Sequence, residues 1–304
     1  MEALLIPLTL ALGALLAVQA AANLQLSVAM GSPIGASTAQ LAVGTVALVV
    51  LAGVVGTLGA VDLLPDAEPW HLVGGLSSAL YITAGILLFP RLGALSTVGL
   101  FIAGQMLTSL TVDGLGLLGV TADPVTALDA LGGVAVLAGA VAISRTDATV
   151  ERVPHHLRWT AVGLLAGAGL ALQGPVNAQL HADLDAPVTA SAFSFLVATA
   201  VMGIVLTAWQ ATTRAPRPHA PARVMPWWGW LGGFVGASYV TAVPLLIAQI
   251  GTATTIGLTI AGQQLAALPV DRFGLLRLPK RALTPSRQAG VALLLAGVAL
   301  IPLT

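Results

Sequence analysis

The sequence predicts an all-α integral membrane protein with ten transmembrane helices, arranged as two inverted-topology repeats of five. Three observations predict it. The chain carries almost no charge. Its apolar stretches form two sets of five that copy each other. Its basic residues all gather on one side once those stretches are threaded through a membrane.

Charge comes first. Of 304 residues, 57% are hydrophobic and 8% charged, and mean hydropathy is +0.95. Soluble domains carry about 25% charged residues. A chain this poor in charge cannot cover a soluble surface, so it reads as a polytopic membrane protein. Its 34 glycines fit helices packed closely in lipid, where small residues let backbones approach. There is no phosphate loop, nucleophile elbow, metal-ligand spacing or basic groove. The expectation is therefore no enzyme, no metal or other cofactor and no nucleic-acid partner. Cysteine is absent, so the redox compartment is not readable. Nearly all basic residues are arginine and alanine is plentiful, which suits a bacterial source and the cytoplasmic (inner) membrane.

A membrane-crossing helix needs roughly 20 apolar residues. Apolar windows fall at about 4–24, 34–58, 70–90, 93–112 and 129–144. A second set falls at about 157–177, 187–210, 228–248, 251–270 and 288–303. The first window resembles a signal peptide but carries Glu2 where basic residues belong, and a similar stretch recurs at 160–180. It is read as a permanent helix. Repeat one spans 1–148 and repeat two 149–304.

The copies align on rare residues. Shifted by 154, Gln19 meets Gln173, Asn23 meets Asn177 and Pro33 meets Pro187. Shifted by 158, residues 70–118 lie on 228–276 with about half the positions identical. There Tyr81 meets Tyr239, Gln105 meets Gln263 and Asp113 meets Asp271. The chain has only two tyrosines, and they pair. Shared membrane composition would not align such residues.

Five spans per copy is an odd number, so the second copy must enter the membrane upside down. The arginines agree. With both termini outside, all 12 Lys and Arg residues fall in cytoplasmic loops: Arg91, the 145–158 linker, the 214–223 stretch and 272–287. The outer loop at 59–69 carries Asp62, Asp66 and Glu68 instead. The Pro- and Arg-rich stretch 212–226 reads as a connector near anionic headgroups. Trp159, Trp209, Trp227, Trp228 and Trp230 fall near the cytoplasmic interface and Trp70 near the outer one, as anchoring aromatics do.

The patterns Q-x3-N-x9-P, GG-x5-Y and G-L-x-I-A-G-Q followed by D-x2-G-L-L occur in both halves. Together they resemble the YdcZ-type family of the drug/metabolite transporter superfamily, here as an internally duplicated, fused member. The resemblance covers nearly the whole chain twice. It implies a ten-helix bundle working by alternating access, and gives export as the expected direction. The chain departs from the small multidrug transporters of that superfamily in having no acidic residue in its first span, nor in its sixth.

Inverted-repeat transporters place substrate near the midplane between repeats. Tyr81, Gln105, Tyr239 and Gln263 lie near the middle of their spans. Gln19 and Asn23, four apart and so on one helix face, lie towards one mouth; Gln173 and Asn177 lie towards the other. These eight are the candidate substrate-binding residues. Tyr and Gln offer a ring face, a hydroxyl, donors and a carbonyl acceptor, which suits a neutral or zwitterionic solute. Interhelical hydrogen-bond packing is the competing reading of the same residues. Asp113 and Asp271, before Gly-containing turns, are either gate or proton sites or turn caps. Asp271 stands next to Arg272. The histidines all fall in or near loops. Gly99-x3-Ala103 and Gly257-x3-Ala261 put small residues on one face of spans four and nine, which would let these helices approach the partner repeat, and the Gly74–Gly75 and Gly232–Gly233 pairs read as close-packing faces too. Pro175 and Gly174 could bend the sixth span.

The expectation is a secondary-active transporter of a small neutral, zwitterionic or amphipathic metabolite or drug, working as a monomer among membrane lipids. A channel-like facilitator and a non-transporting scaffold subunit are the alternatives.

Overall fold

The computed structural model describes residues 2–122, 124–145, 156–213, 218, 225, 227–250 and 252–300. Ten α-helices run through them: α1 (Glu2–Met30), α2 (Pro33–Val54), α3 (Gly75–Leu92), α4 (Ala94–Leu115) and α5 (Ala127–Arg145), then α6 (His156–Leu184), α7 (Pro187–Thr213), α8 (Leu231–Ile250), α9 (Thr252–Phe273) and α10 (Pro285–Leu300). No strand occurs among the described residues. The expected outer loop at 59–69 is largely a 3₁₀ segment, Leu58–Asp66. Most of the 212–226 connector and of the 145–158 linker lies outside the described residues.

Among the described residues, seven helices are long and apolar enough to cross a membrane. α5 and α10 are apolar but shorter. α9 has the length, 22 residues, but the adjacent Gln263 and Gln264 dilute its hydropathy. These three pack lengthwise on other helices, α5 on α10 and α9 on α1. α6 runs unbroken through Gly174 and Pro175 to Leu184, seven residues past the expected span.

Local chemistry sets the turns. After α1, Ser32 takes an extended backbone and its Oγ accepts from the Gly35 N–H at 3.0 Å, with Pro33 opening α2. After α4, Gly116 turns left-handed (φ 61°), followed by Leu118 (φ 56°). After α9, Gly274 (φ 65°) and Leu276 (φ 55°) repeat that backbone residue for residue. A leucine at positive φ costs on the order of 1 kcal/mol. That both copies keep it ties the turn to the duplication.

The repeats interleave. α1 packs on α9 and α8 of the second repeat, and α6 packs on α4 and α3 of the first. α2 pairs with α7, and α5 with α10. Exchanging the two repeats leaves this list of neighbours unchanged. Glycines make the approach possible. A Cβ added to Gly104 of α4 would lie 2.0 Å from the Leu164 carbonyl oxygen in α6; one on Gly262 of α9 would lie 2.0 Å from that of Leu10 in α1. Gly167 and Gly13 return the same contact from the other side, against Phe101 and Thr259. Gly75 meets the Ser194 carbonyl and Gly233 that of Gln40. The glycine pairs are thus close-packing faces, as expected. The other motif is corrected: Gly99 faces Ala140 of α5 and Gly257 faces Val298 of α10, both within their own repeat, at ordinary contact distance.

The buried core has two main parts. One joins α1, α2, α3, α6, α7 and α8 around Tyr81 and Tyr239. The other is centred on α4, α5, α9 and α10.

Candidate substrate cavity

Leu16 and Gln19 of α1 face Leu170 and Gln173 of α6 across a central void. Ser78, Tyr81 and Ile82 of α3 and Gly236, Tyr239 and Val240 of α8 close its sides, with Phe195 of α7. Every one of these helices lies in the first core, and α1 and α6 bring in their glutamines because their glycines seat them between the other repeat's helices. The void measures about 20 Å³, room for about one water.

Both tyrosines are buried, at 4% and 6% exposure. Tyr81 packs against Phe101 of α4, ring centroids 4.7 Å apart. At the equivalent place Tyr239 meets the hydroxyl of Thr259. The Gln19 Nε2 donates to the Gly232 carbonyl at 2.9 Å, and the Gln173 Nε2 donates to Ser78 Oγ at 2.6 Å. Each amide bridges to the opposite repeat. Each leaves its Oε1 buried without a protein partner. A buried acceptor without a partner carries a desolvation cost of about 1–3 kcal/mol, which a bound polar group would relieve.

The other candidates lie elsewhere. Asn23 and Asn177, one turn along from the glutamines, press their Oδ1 atoms against Gly232 and Gly74. The Asn177 Oδ1 accepts from Ser194 Oγ at 3.1 Å, whereas the Asn23 Oδ1 has no protein partner. Gln105 and Gln263 do not line the void. They sit in α4 and α9, one turn beyond Phe101 and Thr259. The Gln105 Nε2 and both polar atoms of Gln263 are buried without protein partners, and so are both of Gln264. The structure thus brings together four of the eight predicted residues. It adds Ser78 and Phe195 to them. A further buried amide, Gln40, lies outside the lining and donates to the Gly229 carbonyl at 2.7 Å. Gln40 was visible as a lone amide in an apolar run, but its repeat counterpart is Ser194, so the pairing of copies did not flag it.

Asp271 is 1% exposed and bound on three sides. Its carboxylate accepts from the backbone N–H groups of Ala94 (3.1 Å) and Leu95 (3.0 Å), the first turn of α4, and pairs with Arg287 at 2.8 Å. It therefore caps a helix of the other repeat, not its own turn, and its partner is not the adjacent Arg272. Arg287, expected in a loop, sits in the first turn of α10 at 3% exposure and also donates to the Ala282 carbonyl. Asp113 is half-buried and accepts from Ser109 Oγ at 3.4 Å. The counterpart of Arg287 in the first repeat is Asp129, whose carboxylate accepts from the Thr126 N–H and hydroxyl. The Asp–Arg clip is one-sided.

One histidine corrects the loop expectation, and a second, His71, meets it. His181 lies inside α6, buried, 3.1 Å from Ser191 Oγ of α7. His71, buried at the approach to α3, pairs with Asp183 at the end of α6. His155 and His219 lie outside the described residues. Among the described residues no three His, Cys, Asp or Glu side chains cluster as metal ligands.

Two apolar grooves flank the bundle, of about 580 and 600 Å³. Ala79, Thr83 and Leu87 of α3 line one with Met202 of α7; Ala237, Thr241 and Leu245 of α8 line the other with Leu48 of α2. These are equivalent residues of the two copies.

The family model described as "Putative inner membrane exporter, YdcZ" matches residues 4–142 and again 158–300. No curated protein matches the chain. One solved structure, described as "Crystal structure of protein", superposes with a TM-score of 0.58 at 15% identity over 95% of each chain. At that identity the likeness concerns the fold alone.

Proposed function

This chain belongs to the YdcZ-type family of inner membrane exporters, and from that membership we propose that it is a secondary-active transporter working by alternating access between two inverted five-helix repeats. Its cargo is a small neutral, zwitterionic or amphipathic solute, moved outward. The observation that carries this reading is the central void, to which both repeats contribute one tyrosine and one glutamine. A void that holds about one water admits no solute, so loading requires the repeats to part. The orphaned Oε1 atoms of Gln19 and Gln173 would then accept from the solute, and the tyrosines would offer ring and hydroxyl. The closure supports a gated carrier over an open channel. The void is lined by no carboxylate, which supports a cargo without net charge. Gln105, Gln263, Asn23 and Asn177 are assigned a lesser part, lining the path as it opens. Asp271, bound on three sides, is assigned to holding helices together and not to carrying protons; Asp113 keeps the role of a possible gate. Both halves are on one chain, so the monomer is the proposed unit.

The experiment is a thermal-shift ligand screen on purified protein, followed by flux of the stabilising compound in liposomes. Tyr81→Phe and Gln173→Leu are expected to lower flux at least tenfold with the unliganded melting temperature held within a few degrees. If flux per folded molecule persists while stability falls, these side chains only pack helices.

Topology has a separate test, made simple by a chain without cysteine. Single cysteines at positions 121 and 213 are expected to react with an impermeant maleimide from outside and inside respectively. Reaction of both from one side would overturn the inverted arrangement and the placing of both termini outside.

A further inference from the structure

We propose that the solute leaves the central void along α6, and that the His71–Asp183 pair is the latch that shuts this way out. The proposal rests on the alternating-access reading and on the placing of both termini outside, which puts the end of α6 at the outer face. Gln173, Asn177 and His181 stand four residues apart, on one face of that helix. All three are buried, and they run from the void towards the helix end. Ser194 and Ser191 of α7 bond Asn177 and His181, at 3.1 Å each. The Gln173 Oε1 and the His181 Nδ1 have no protein partner. A buried file of two amides and an imidazole offers a polar solute hydrogen bonds on its way through an apolar bundle. Asp183, its side chain 28% exposed, ends the file.

The start of α3 fills this way in the closed arrangement. A Cβ on Gly74 would lie 2.2 Å from the Asn177 Oδ1, and one on Gly75 would lie 1.9 Å from the Ser194 carbonyl oxygen. Nothing can pass until that start lifts from α6 and α7. His71 lies three residues before Gly74, in the 3₁₀ turn His71–Val73, and its Nδ1 donates to the Asp183 carboxylate. The bond therefore ties the part that must move, from the first repeat, to the helix it must leave, from the second. The bonds to Ser191 and Ser194 lie within the second repeat, and such a movement leaves them intact.

The opposite end is built without the latch. Gln19, Asn23 and Ser27 repeat the file on α1, and a Cβ on Gly232 at the start of α8 would lie 2.0 Å from the Asn23 Oδ1. There Gly229 stands at the place of His71 and Ala29 at that of Asp183, so this pair cannot form. Close packing of the glycines serves both ends alike. Only the outer end adds a hydrogen bond to a carboxylate, which outward opening must break and inward opening need not.

The test needs no cargo, so its failure is distinct from a failure of transport. The full chain, which has no cysteine, is reconstituted in liposomes of known orientation. A single Ser194→Cys reports opening to the outside, because Ser194 is 1% exposed in the closed arrangement. Ser27→Cys reports opening to the inside. Rates of reaction with an impermeant methanethiosulfonate are measured from each face. Asp183→Ala is expected to speed the reaction of Ser194→Cys from outside about tenfold, with Ser27→Cys from inside unchanged or slower. His71→Leu is expected to do the same, and the two together little more than either alone, since both remove one bond. Should His71→Leu melt early, Asp183→Ala, at a partly exposed position, carries the test. A change below about twofold in folded Asp183→Ala protein would overturn the latch. Equal acceleration of both cysteines would overturn it in favour of general loosening. Reaction of Ser194→Cys from the inside alone would overturn the outer exit.

Discussion

Replacing Asp271 with alanine is expected to destabilise the protein by about 3–5 kcal/mol. The substitution leaves Arg287 buried at 3% exposure with its charge uncompensated. It also removes the acceptor for two N–H groups at the start of α4, a cap worth about 1 kcal/mol. The Asp271→Leu/Arg287→Met pair is expected to recover much of the loss, because replacing both buried ions by apolar groups is often nearly neutral. Asp271→Asn should fall between, since an amide oxygen still accepts from one N–H. Chemical denaturation in mixed micelles measures all three. A double variant as unstable as Asp271→Ala would show that the ion pair is not what holds this junction. Asp113→Ala serves as the comparison. Its carboxylate is half-buried, and the counterpart of Arg287 there is another acid, so a smaller loss is expected.

Gly104→Ala is expected to cost about 3 kcal/mol or more, though it adds one methyl group. That methyl would lie 2.0 Å from the Leu164 carbonyl oxygen, 2.9 Å from its carbon and 3.0 Å from the Ala168 nitrogen. All are backbone atoms of a helix interior, so no side chain can swing away. α6 must move bodily, and with it Gln173. Two controls isolate the cause. Gly203→Ala in α7 meets nothing within 4 Å, and Gly99→Ala meets only Ala140 and Ile143 at 3.8 Å or more. Both are expected to be neutral or slightly stabilising, since alanine favours the helix by up to about 1 kcal/mol. If Gly104→Ala melts with them, the close contact of α4 and α6 is wrong.

The helices and their duplication were readable because both rest on local signals. Apolar windows mark helices without reference to neighbours, and the paired tyrosines betray the copy. The site was readable in part. Depth along a span set Tyr81 and Gln105 at similar heights, but not which way each points. α3 turns Tyr81 into the void, while Gln105 lies outside its lining, and only the crossing of α4 with α6 decides that. The same limit explains the misread glycine motif. Gly99-x3-Ala103 and Gly104 are one residue apart at the motif's end, yet serve different neighbours. Asp271 stands next to Arg272 in sequence, which cannot show that the chain folds back to bring Arg287 against it. His181 looked like a loop residue because hydropathy falls before α6 ends.

The interleaving of the halves has a consequence for how the protein is made. The ribosome finishes residues 1–145 before the helices that cover them exist. At that moment α1 and α4 present Gly13 and Gly104 to lipid, the places that α9 and α6 will fill. The first half then has only its own contacts, such as α4 with α5 and α1 with α2 and α3, and lacks those that the second half supplies. The interface is complete only when α6 has packed on α3 and α4, α9 on α1 and α10 on α5. Any pause in translation between the halves lengthens the time during which an unfinished chain can be recognised and degraded.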